Sequence, residues 1–371
     1  MDMELPKHRR LYEVLRGEIL ENKYGGTGNF PSEAQLVRRY GYSRTTIRKA
    51  LEELQHEGLV RSSQGRGTVV TDRGRVQTFG LILPGVSRYE YFQSVATELT
   101  RIAQENHSAF VFANVDTIDP NRLRQNVRDL AAEFIKRRIR GVIYHPIEFS
   151  AADDGANLQI VSAFRRARIP VVLIDCDVVM PPERSDFDVV TIANAHAAEQ
   201  LARHLLDAGA RHVAVQMLPK TFPNMLDRVR GVANAVTSAG GKWSEQNVLV
   251  CEPTDVKAVR KLFSRSPRPD AVVCQNDAVA AELSQSLKRL GLNVPNDVML
   301  AGFDGMDISR LMSPALTTIR QSHVELARRV FAVLQWRLEH PADPPITVLL
   351  PHKLVVRASS RRSPERKGKT K

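Results

Sequence analysis

Residues 30–70 read FPSEAQLVRRYGYSRTTIRKALEELQHEGLVRSSQGRGTVV, and this stretch decides the fold of the N-terminal part of the chain. Ser32 and Gln35 have the spacing of a capping box, which predicts the start of a helix. Gly41 permits a tight turn after that helix, and Ser43 is a favourable N-cap for a second one. The order of these signals predicts a helix-turn-helix.

The second predicted helix, residues 43–56, has one apolar face and a basic surface. Ile47, Leu51 and Leu54 have the i, i+4, i+7 spacing of a buried face. The segment 37–51 contains five basic residues and no acidic one. A recognition helix needs this arrangement, because short polar and Arg side chains near its start reach base edges while neighbouring cations contact phosphates.

A two-stranded hairpin, LVRSSQGRGTVV, follows Gly58, with Gly65, Arg66 and Gly67 at its tip. On charge alone, a small helical bundle with a solvated basic face explains these helices equally well. The ordered combination of capping box, glycine turn, basic helix and hairpin favours three helices and a wing over residues 7–70.

This segment resembles the DNA-binding domain of the GntR family. The resemblance implies a homodimer that places helix 43–56 in the major groove of a double-stranded DNA operator and the wing tip in the minor groove. Ala34 stands where many members carry a DNA-contacting Arg, and Gln64 where some carry His, so the operator of those members does not carry over. The residues that we expect to contact DNA are Ser32, Arg38, Arg44, Thr45, Thr46, Arg48, Lys49, Gly65 and Arg66.

From residue 78 the pattern changes to short apolar runs that alternate with helical stretches. Examples of the runs are FGLILP (79–84), GVIYHP (141–146), VVLIDC (171–176), AVVC (271–274) and VMLAGFD (298–304). Repeated alternation of strand and helix predicts parallel sheets with helices on both faces. Two such sets, roughly 78–190 and 190–320, predict two α/β lobes.

The predicted fold class is therefore an α+β winged helix-turn-helix followed by a two-lobed α/β domain with parallel sheets. The predicted segments are a DNA-binding domain at 1–71, a linker at 72–77, a two-lobed effector-binding and dimerisation domain at 78–358, and a basic, disordered tail at 359–371. The net charge of +12 lies mainly at the ends: 14 Lys/Arg less 10 Asp/Glu gives +4 over 1–77, and 7 less 1 gives +6 over 357–371.

Composition excludes several classes of protein. A hydrophobic content of 43% and a charged content of 25% are typical of a globular protein. No apolar run approaches the ~20 residues that span a bilayer, and MDMELPKHRR lacks the apolar region of a secretory signal. The three cysteines have no metal spacing, which suggests reduced, buried thiols in the cytoplasm. No HExxH or GxSxG motif occurs, so we expect neither catalysis nor a cofactor or metal.

Polar residues that follow apolar strands are the candidates for a ligand site between the lobes, because ligands bind beyond the carboxyl ends of parallel strands. Asp175, Asn276 and Asp304 occupy such positions. One Asp accepts hydrogen bonds from two sugar hydroxyls, and Arg228 can donate in return. Each has a structural alternative, since Asn276 could equally cap the helix that follows it, and aromatic residues are more often core.

Residues 271–321 resemble the effector domain of LacI/GalR-type regulators, with their strand–Asn-Asp–helix, Gly-Phe-Asp and Pro-x-Leu-Thr-Thr elements. The resemblance implies a periplasmic-binding-protein-like fold and a small-molecule effector, a carbohydrate or a similar compound. Together with the N-terminal segment, the chain resembles the AraR-like group of regulators. The residues that we expect to bind the effector are Ser87, Tyr91, Phe92, His145, Asp175, Arg228, Asn276 and Asp304.

We therefore expect a transcription regulator, a repressor whose operator affinity is controlled by an effector such as a sugar. A sugar-binding solute receptor without a transcriptional role is the alternative. Its cleft would fit, but the extra DNA-binding segment and the lack of a signal sequence count against it. A third hypothesis is an enzyme that acts on a sugar or nucleotide, and no catalytic constellation supports it.

Overall fold

The computed structural model describes residues 6–20, 23–24, 30–63, 67–71, 76–87, 89–117, 119–149 and 155–362. By their contacts the residues form two compact units, 1–79 with 100–111, and 80–99 with 112–371. The predicted wing tip with Gly65 and Arg66, most of the predicted linker (72–75) and the tail from 363 lie outside the described residues. We call residues 7–70 the head and residues 76–362 the body.

The head contains the predicted helix-turn-helix and hairpin. Its elements are α1 (Lys7–Leu20), α2 (Glu33–Tyr40), α3 (Arg44–His56), β1 (Val60–Ser63) and β2 (Gly67–Val70). The capping box between Ser32 and Gln35 is present, and Gly41 ends α2 in the left-handed conformation with φ of 69°. Leu36 and Ile47 are fully buried in the apolar core that joins the helices. The winged helix-turn-helix prediction is confirmed.

Two carboxylates bind α1 to the other head helices. Glu18 of α1 is 8% exposed and accepts hydrogen bonds from the hydroxyl of Tyr40 (2.8 Å) and from Arg39 (2.7 Å). Glu57, which follows α3, accepts a hydrogen bond from the hydroxyl of Tyr12 at 2.5 Å. These bonds fix the helix on which the recognition helix packs.

The body alternates strands and helices, as predicted. Its helices are α4 (Glu90–Glu105), α5 (Pro120–Lys136), α6 (Ala156–Arg166), α7 (Asn194–Asp207), α8 (Pro223–Ser238), α9 (Val256–Phe263), α10 (Asp277–Arg289), α11 (Asp307–Leu311) and α12 (His323–Glu339). Its strands are β3 (Gln77–Ile82), β4 (Ser108–Val111), β5 (Val142–Tyr144), β6 (Val171–Ile174), β7 (Asp188–Ile192), β8 (Val213–Met217), β9 (Val248–Val250), β10 (Ala271–Cys274), β11 (Met299–Asp304), β12 (Thr317–Gln321), β13 (Thr347–Leu350) and β14 (His352–Val355).

Two six-stranded sheets form the two lobes. The first has the order β13-β7-β6-β5-β3-β4 and the second the order β14-β12-β11-β10-β8-β9. The described strand pairings are parallel, except that β14 runs antiparallel to β12. The carboxyl ends of the central strands therefore lie at one edge of each sheet, where the site was expected.

The chain crosses between the lobes three times. It leaves the first sheet after β7, returns through α12 to β13, which pairs with β7, and crosses again to β14, which pairs with β12. The predicted lobes, 78–190 and 190–320, do not include this return. Apolar periodicity indicates that residues 323–339 are helical but not which sheet they cover.

The body ends later than the predicted boundary at 358. Ser359 and Ser360 are fully buried, and the hydroxyl of Ser359 donates to the carbonyl of Leu300 at 2.6 Å. Arg362 donates to the carbonyl of Asp270 at 3.1 Å. At the other end, Gln77 already belongs to β3 rather than to the linker.

All three cysteines, Cys176, Cys251 and Cys274, are buried free thiols. None of the helices formed by described residues is long and apolar enough to cross a membrane.

Candidate functional site

A cavity lies between the two lobes at the carboxyl ends of their strands. It contains about 450 Å³ of space free of protein atoms, part of it open to solvent. The lining residues are Tyr89, Tyr91, Phe92, His145, Asp175, Phe222, Asn224, Met225, Arg228, Gln275, Asn276 and Asp304.

Two aspartates from opposite lobes line the cavity, each at the end of a strand. Asp175 follows β6 with φ of 71°, and Asp304 ends β11 with φ of 97°. The left-handed backbone is costly for a residue other than glycine and is concentrated at functional sites. Asn224 donates to Oδ2 of Asp175 at 3.0 Å, and Gln321 donates to Oδ1 of Asp304 at 2.8 Å.

The charges of the two aspartates differ in their response to pH. Burial raises the pKa of Asp304 to about 6, with Arg228 opposing the rise and Asp175 adding to it. Burial also acts to raise the pKa of Asp175, but the neighbouring His145, the charge of Arg228 and the hydrogen bond from Asn224 outweigh it, so that this pKa lies below its usual value. Asp175 is therefore ionised at neutral pH, and Asp304 is mostly so.

Arg228 of α8 is 4% exposed and held on several sides. Its Nε donates to Oδ1 of Asn194 at 2.8 Å, and its Nη1 donates to the carbonyl of Gln275 at 2.7 Å. Its guanidinium carbon lies 4.0 Å from the centre of the Phe303 ring. The arginine thus joins the first crossover between the lobes to the end of β10.

Aromatic rings form one wall of the cavity. The His145 ring lies 4.5 Å from the ring of Phe92 and 4.9 Å from that of Phe222, measured between centroids. Tyr91 lies next to Phe92, with centroids 5.7 Å apart. Flat apolar faces of this kind suit the C–H face of a sugar ring.

Four buried polar atoms of the cavity lining have no hydrogen-bond partner among the residues that the structure describes: Tyr91 Oη, His145 Nε2, Asp175 Oδ1 and Asn224 Oδ1. His145 Nε2 lies 3.8 Å from Oδ2 of Asp175, which is too long for a hydrogen bond. An unsatisfied buried polar group costs about 1–3 kcal/mol. A polar ligand in this cavity would supply the missing partners.

The structure places most of the predicted effector residues around this cavity. Tyr91, Phe92, His145, Asp175, Arg228, Asn276 and Asp304 line it. Ser87 does not, and its backbone N–H donates to Asp116 at 2.8 Å. Asn276 also has its alternative role, because its Oδ1 accepts the N–H of Val279 at 2.9 Å and caps α10.

Asn224 and Gln275 also line the cavity, although neither belongs to the predicted set. Gln275 directly follows β10, and Asn224 is the second residue of α8, which begins shortly after β8. Both satisfy the same rule as Asp175, a polar side chain just beyond a strand. The rule also selects helix caps, so it could not separate these two from the rest.

The start of α3 presents polar and basic side chains to solvent. Ser43 caps the helix by accepting the N–H of Thr46 at 3.3 Å, and Thr46 is half-buried. The exposed residues of the predicted set on α3 are Arg44, Thr45, Arg48 and Lys49. Arg48 lies 3.3 Å from Glu33 in an exposed pair, which is a weak interaction that a phosphate can displace.

Two predicted DNA contacts belong to α2. Ser32 is exposed, and its hydroxyl is used in the capping box with Gln35. Arg38 is exposed and makes only a long hydrogen bond of 3.4 Å to the carbonyl of Ala34.

Within the described part of the chain, no group of three or more His, Cys, Asp or Glu side chains could hold a metal ion.

Comparison with known proteins agrees with both parts of the chain. Residues 7–70 match the gntR family of bacterial regulatory proteins, and residues 202–360 match the periplasmic binding protein-like domain. An arabinose metabolism transcriptional repressor of Halalkalibacterium halodurans is 26% identical over 385 residues, which cover 98% of this chain and 99% of that protein.

Solved structures share the fold. The transcriptional regulator CelR in complex with cellobiose has a TM-score of 0.67 at 19% identity and covers 89% of this chain and 100% of its own. The transcription regulator CcpA of Lactococcus lactis has a TM-score of 0.65 at 21% identity and covers 77% of this chain and 99% of its own.

The head matches bacterial regulatory proteins, and it is joined to a two-lobed body. This combination places the chain in the class of DNA-binding transcription regulators. More particularly, it combines a GntR-type DNA-binding domain with a periplasmic-binding-protein-like domain. The predicted fusion is confirmed.

Proposed function

We propose that the chain is a transcriptional repressor that releases its operator when a neutral, polyhydroxylated small molecule binds between the lobes. The observation that carries this proposal is the set of four unpartnered polar atoms in the cavity, one each on Tyr91, His145, Asp175 and Asn224. They lie beside an aromatic wall, which is the pairing of polar and apolar surface that sugars require.

The chemistry of the cavity favours hydroxyl donors over anions. Asp175 and Asn224 offer unpaired acceptor oxygens, and a second carboxylate, that of Asp304, lies in the same cavity. The buried cation Arg228 already donates to two protein oxygens. A phosphate or a sugar acid would meet these carboxylates at close range, whereas a sugar hydroxyl donates to them. The names of an arabinose repressor and of a cellobiose complex among similar proteins support a sugar.

On the DNA side, we propose that α3 enters the major groove of a duplex operator. Arg44, Thr45 and Arg48 would contact bases or adjacent phosphates, and Lys49 phosphates. Two heads are needed to read a palindromic site, so the proposal includes a homodimer. It also places the chain in the cytoplasm, beside the chromosome. Sedimentation that gives the mass of a single chain at micromolar concentration would contradict the dimer.

A panel of compounds tests the effector side. We expect the melting temperature to rise with one or a few neutral sugars, pentoses and cellobiose among them, and not with the matching sugar phosphates or acids. Footprinting on the promoter of its own gene should then show a protected palindrome that the same sugar releases. A chain that protects no site at any salt concentration would refute the proposal.

Two substitutions separate the two sites. Arg48→Ala should weaken operator binding and leave the sugar affinity unchanged, because the side chain is exposed on α3. Asp304→Ala should weaken sugar binding at least tenfold, and the variant should still bind the operator, because Asp304 lines the cavity. Calorimetry and band-shift titrations measure both affinities on the same full-length proteins. A folded single variant that lost both would contradict the assignment of two sites.

A further inference from the structure

The first lobe has two strongly basic segments that the proposed function does not use. Residues 136–140 read KRRIR and residues 165–168 read RRAR, with seven Lys/Arg and no acidic residue. They precede β5 and β6, which are parallel neighbours, and the N–H of Val142 donates to the carbonyl of Pro170 at 2.8 Å. Both segments therefore lie at the amino edge of the sheet. We call them the basic edge.

The cations of the basic edge are exposed and mostly unpaired. All seven are exposed to solvent. Arg137 pairs with Glu133, and Arg165 lies 3.6 Å from Asp186. The charge of Lys136 also acts on Glu133. The remaining four form no ion pair with any residue that the structure describes: Arg138, Arg140, Arg166 and Arg168. Like charges that share one edge of a sheet repel one another, so this surface favours an anionic partner.

Two of these arginines occupy positions at which folding favours glycine. Arg138 and Arg168 follow the ends of α5 and α6 in the left-handed conformation, with φ of 51° and 56°. The corresponding positions after α7, α8 and α10 in the second lobe are Gly209, Gly240 and Gly291, with φ of 95°, 78° and 77°.

The hydrogen bonding at these helix ends is the same in both lobes. The N–H of Ile169 donates to the carbonyl of Phe164, just as the N–H of Ala210 donates to the carbonyl of Leu205, both within 3.0 Å. Such helix ends are usually completed by glycine, which adopts the conformation without steric cost. The arginines therefore serve the folding of these ends less well than glycine, as does His107 at the same position after α4, with φ of 50°.

The basic edge belongs to the sheet that the head's tether enters. Only residues 71–76 separate β2 of the wing from β3, and β3 pairs in parallel with β5. DNA is the polyanion to which the head is committed, and Arg side chains suit its phosphates.

We propose that the basic edge binds the phosphate backbone of duplex DNA next to the operator, as a second contact that does not read sequence. This inference rests on the proposed function, since the head must bring the chain to DNA. Such contacts release counterions, so they raise both the affinity and its dependence on salt.

The test compares two full-length variants of equal charge. The edge variant carries Arg138→Gly, Arg140→Gln, Arg166→Gln and Arg168→Gly, in which the two glycines suit the local backbone. The matched control carries Arg260→Gln, Lys261→Gln, Arg265→Gln and Arg268→Gln, four exposed cations of the second lobe. Each lowers the net charge of +12 by four, to +8. A smaller variant with only Arg140→Gln and Arg166→Gln leaves the helix ends unchanged.

Binding to a mixed-sequence duplex of about 40 base pairs is followed by fluorescence anisotropy between about 50 and 200 mM KCl. The edge variant should bind at least about tenfold more weakly than the control at the low end. The slope of log K against log salt should become shallower by about 0.9 for each phosphate that the variant no longer neutralises. The smaller variant should show about half of that change in slope.

Three other outcomes of these binding measurements would contradict either the role of the basic edge or the proposed function. An edge variant that binds like the control overturns the inference and leaves the proposed function standing, provided that Arg48→Ala weakens binding. Failure of the unaltered chain to bind any duplex at about 50 mM KCl overturns the proposed function itself. If the edge variant loses affinity for a single-stranded RNA of similar length but not for the duplex, the partner is RNA and the inference fails.

Discussion

Tyr91 places a hydroxyl in the cavity, and no atom of the described residues accepts a hydrogen bond from it or donates one to it. Burial raises its pKa well above the usual value, and the carboxylates of Asp175 and Asp304 add to the rise. The hydroxyl therefore remains protonated. In the empty cavity the unsatisfied hydroxyl lowers the stability of the fold, and in the occupied cavity it can donate a hydrogen bond to the ligand.

Tyr91→Phe should therefore raise stability and weaken effector binding at the same time. Removal of an unsatisfied buried hydroxyl should stabilise the empty protein by about 1 kcal/mol. Loss of one hydrogen bond to a sugar should weaken binding by about 5- to 20-fold. Thermal melting without ligand and calorimetry with ligand measure the two effects.

Tyr144→Phe is the matched control, because the hydroxyl of Tyr144 donates to Asn157 at 2.6 Å and lies outside the cavity lining. It should lower stability and leave effector affinity within twofold. A Tyr91→Phe variant that melts below the unaltered protein would contradict the cost assigned to its hydroxyl in the empty cavity.

The sequence predicted which types of side chain line the site better than it predicted which individual residues do so. Asp175 and Asp304 were found because a polar residue after an apolar run marks the carboxyl end of a strand. Ser87 satisfies the same pattern but turns towards Asp116. The direction of such a side chain depends on the neighbouring segment that supplies its partner, and that segment lies about thirty residues away in sequence.

Among the elements, α10 is connected to two strands by the carboxylate of Asp277, which is 1% exposed. Its Oδ2 accepts the N–H of Met306 at 2.9 Å after β11, and its Oδ1 accepts the hydroxyl of Thr318 in β12 at 2.6 Å. Burial raises its pKa to about 8, with the charge of Asp304 adding to the rise.

The body should lose stability as the pH rises towards 8. The folded state holds the proton of Asp277 up to about pH 8, and the unfolded chain releases it near the ordinary value of 3.8. Folding therefore binds a proton in this interval, and the free energy of unfolding falls as pH increases. Between about pH 6 and 8 the loss should be about 2 kcal/mol, which melting curves can follow.

Asp277→Asn should remove most of that slope, because the amide keeps one acceptor and cannot ionise. The elevated pKa of Asp304, about 6, acts in the same direction only at lower pH, so the comparison belongs above pH 6. If the free energy of unfolding falls equally steeply with pH for the variant and the unaltered protein above pH 6, Asp277 is not the origin of that pH dependence.

The ends of α6 and α7 allow a direct comparison of backbone cost. Arg168→Gly should raise the free energy of unfolding by about 1 kcal/mol, because glycine adopts the left-handed conformation freely. Gly209→Ala should lower it by a similar amount, since an added Cβ there meets no atom within 4 Å and only the backbone conformation is penalised. Denaturant titration measures both. A stabilised Arg168→Gly variant would also show that Arg168 is not needed for folding.

The helices and strands themselves were largely predictable, because capping signals and apolar periodicity are local. The path of the chain was not. α12 and β13 return to the first sheet, and the selection of that sheet depends on β13 pairing with β7, 158 residues earlier in the chain. No local pattern encodes a pairing at such a separation.

Across the whole molecule, a chain of hydrogen bonds runs from one lobe to the other through the first crossover. Thr191 donates to the carbonyl of Asp175 at 2.5 Å, and Asn194 donates to Thr191 at 3.2 Å. Arg228 donates to Asn194 and to the carbonyl of Gln275. The ends of β6 and β10, which both face the cavity, are thereby linked through residues of the first crossover.

Asn194→Ala should weaken the communication between effector and operator. It removes the acceptor of Arg228 and the donor to Thr191, so closure of the cavity would no longer be transmitted through the crossover. The factor by which saturating effector weakens operator binding should fall at least about threefold towards one. Asn157→Ala is the control, because Asn157 bonds only within the first lobe, to Tyr144 and Ile147, and should leave that factor unchanged.

Linkage provides the decisive check on this last prediction. If effector weakens operator binding by a given factor, the operator must weaken effector binding by the same factor, because both describe one coupling free energy. For Asn194→Ala, the ratio of the effector affinities measured without and with saturating operator should therefore fall towards one by the same factor as the effect of effector on operator binding. A variant whose effector affinity changes while both coupling factors stay at the value of the unaltered protein would show that Asn194 shapes the cavity and does not transmit its closure.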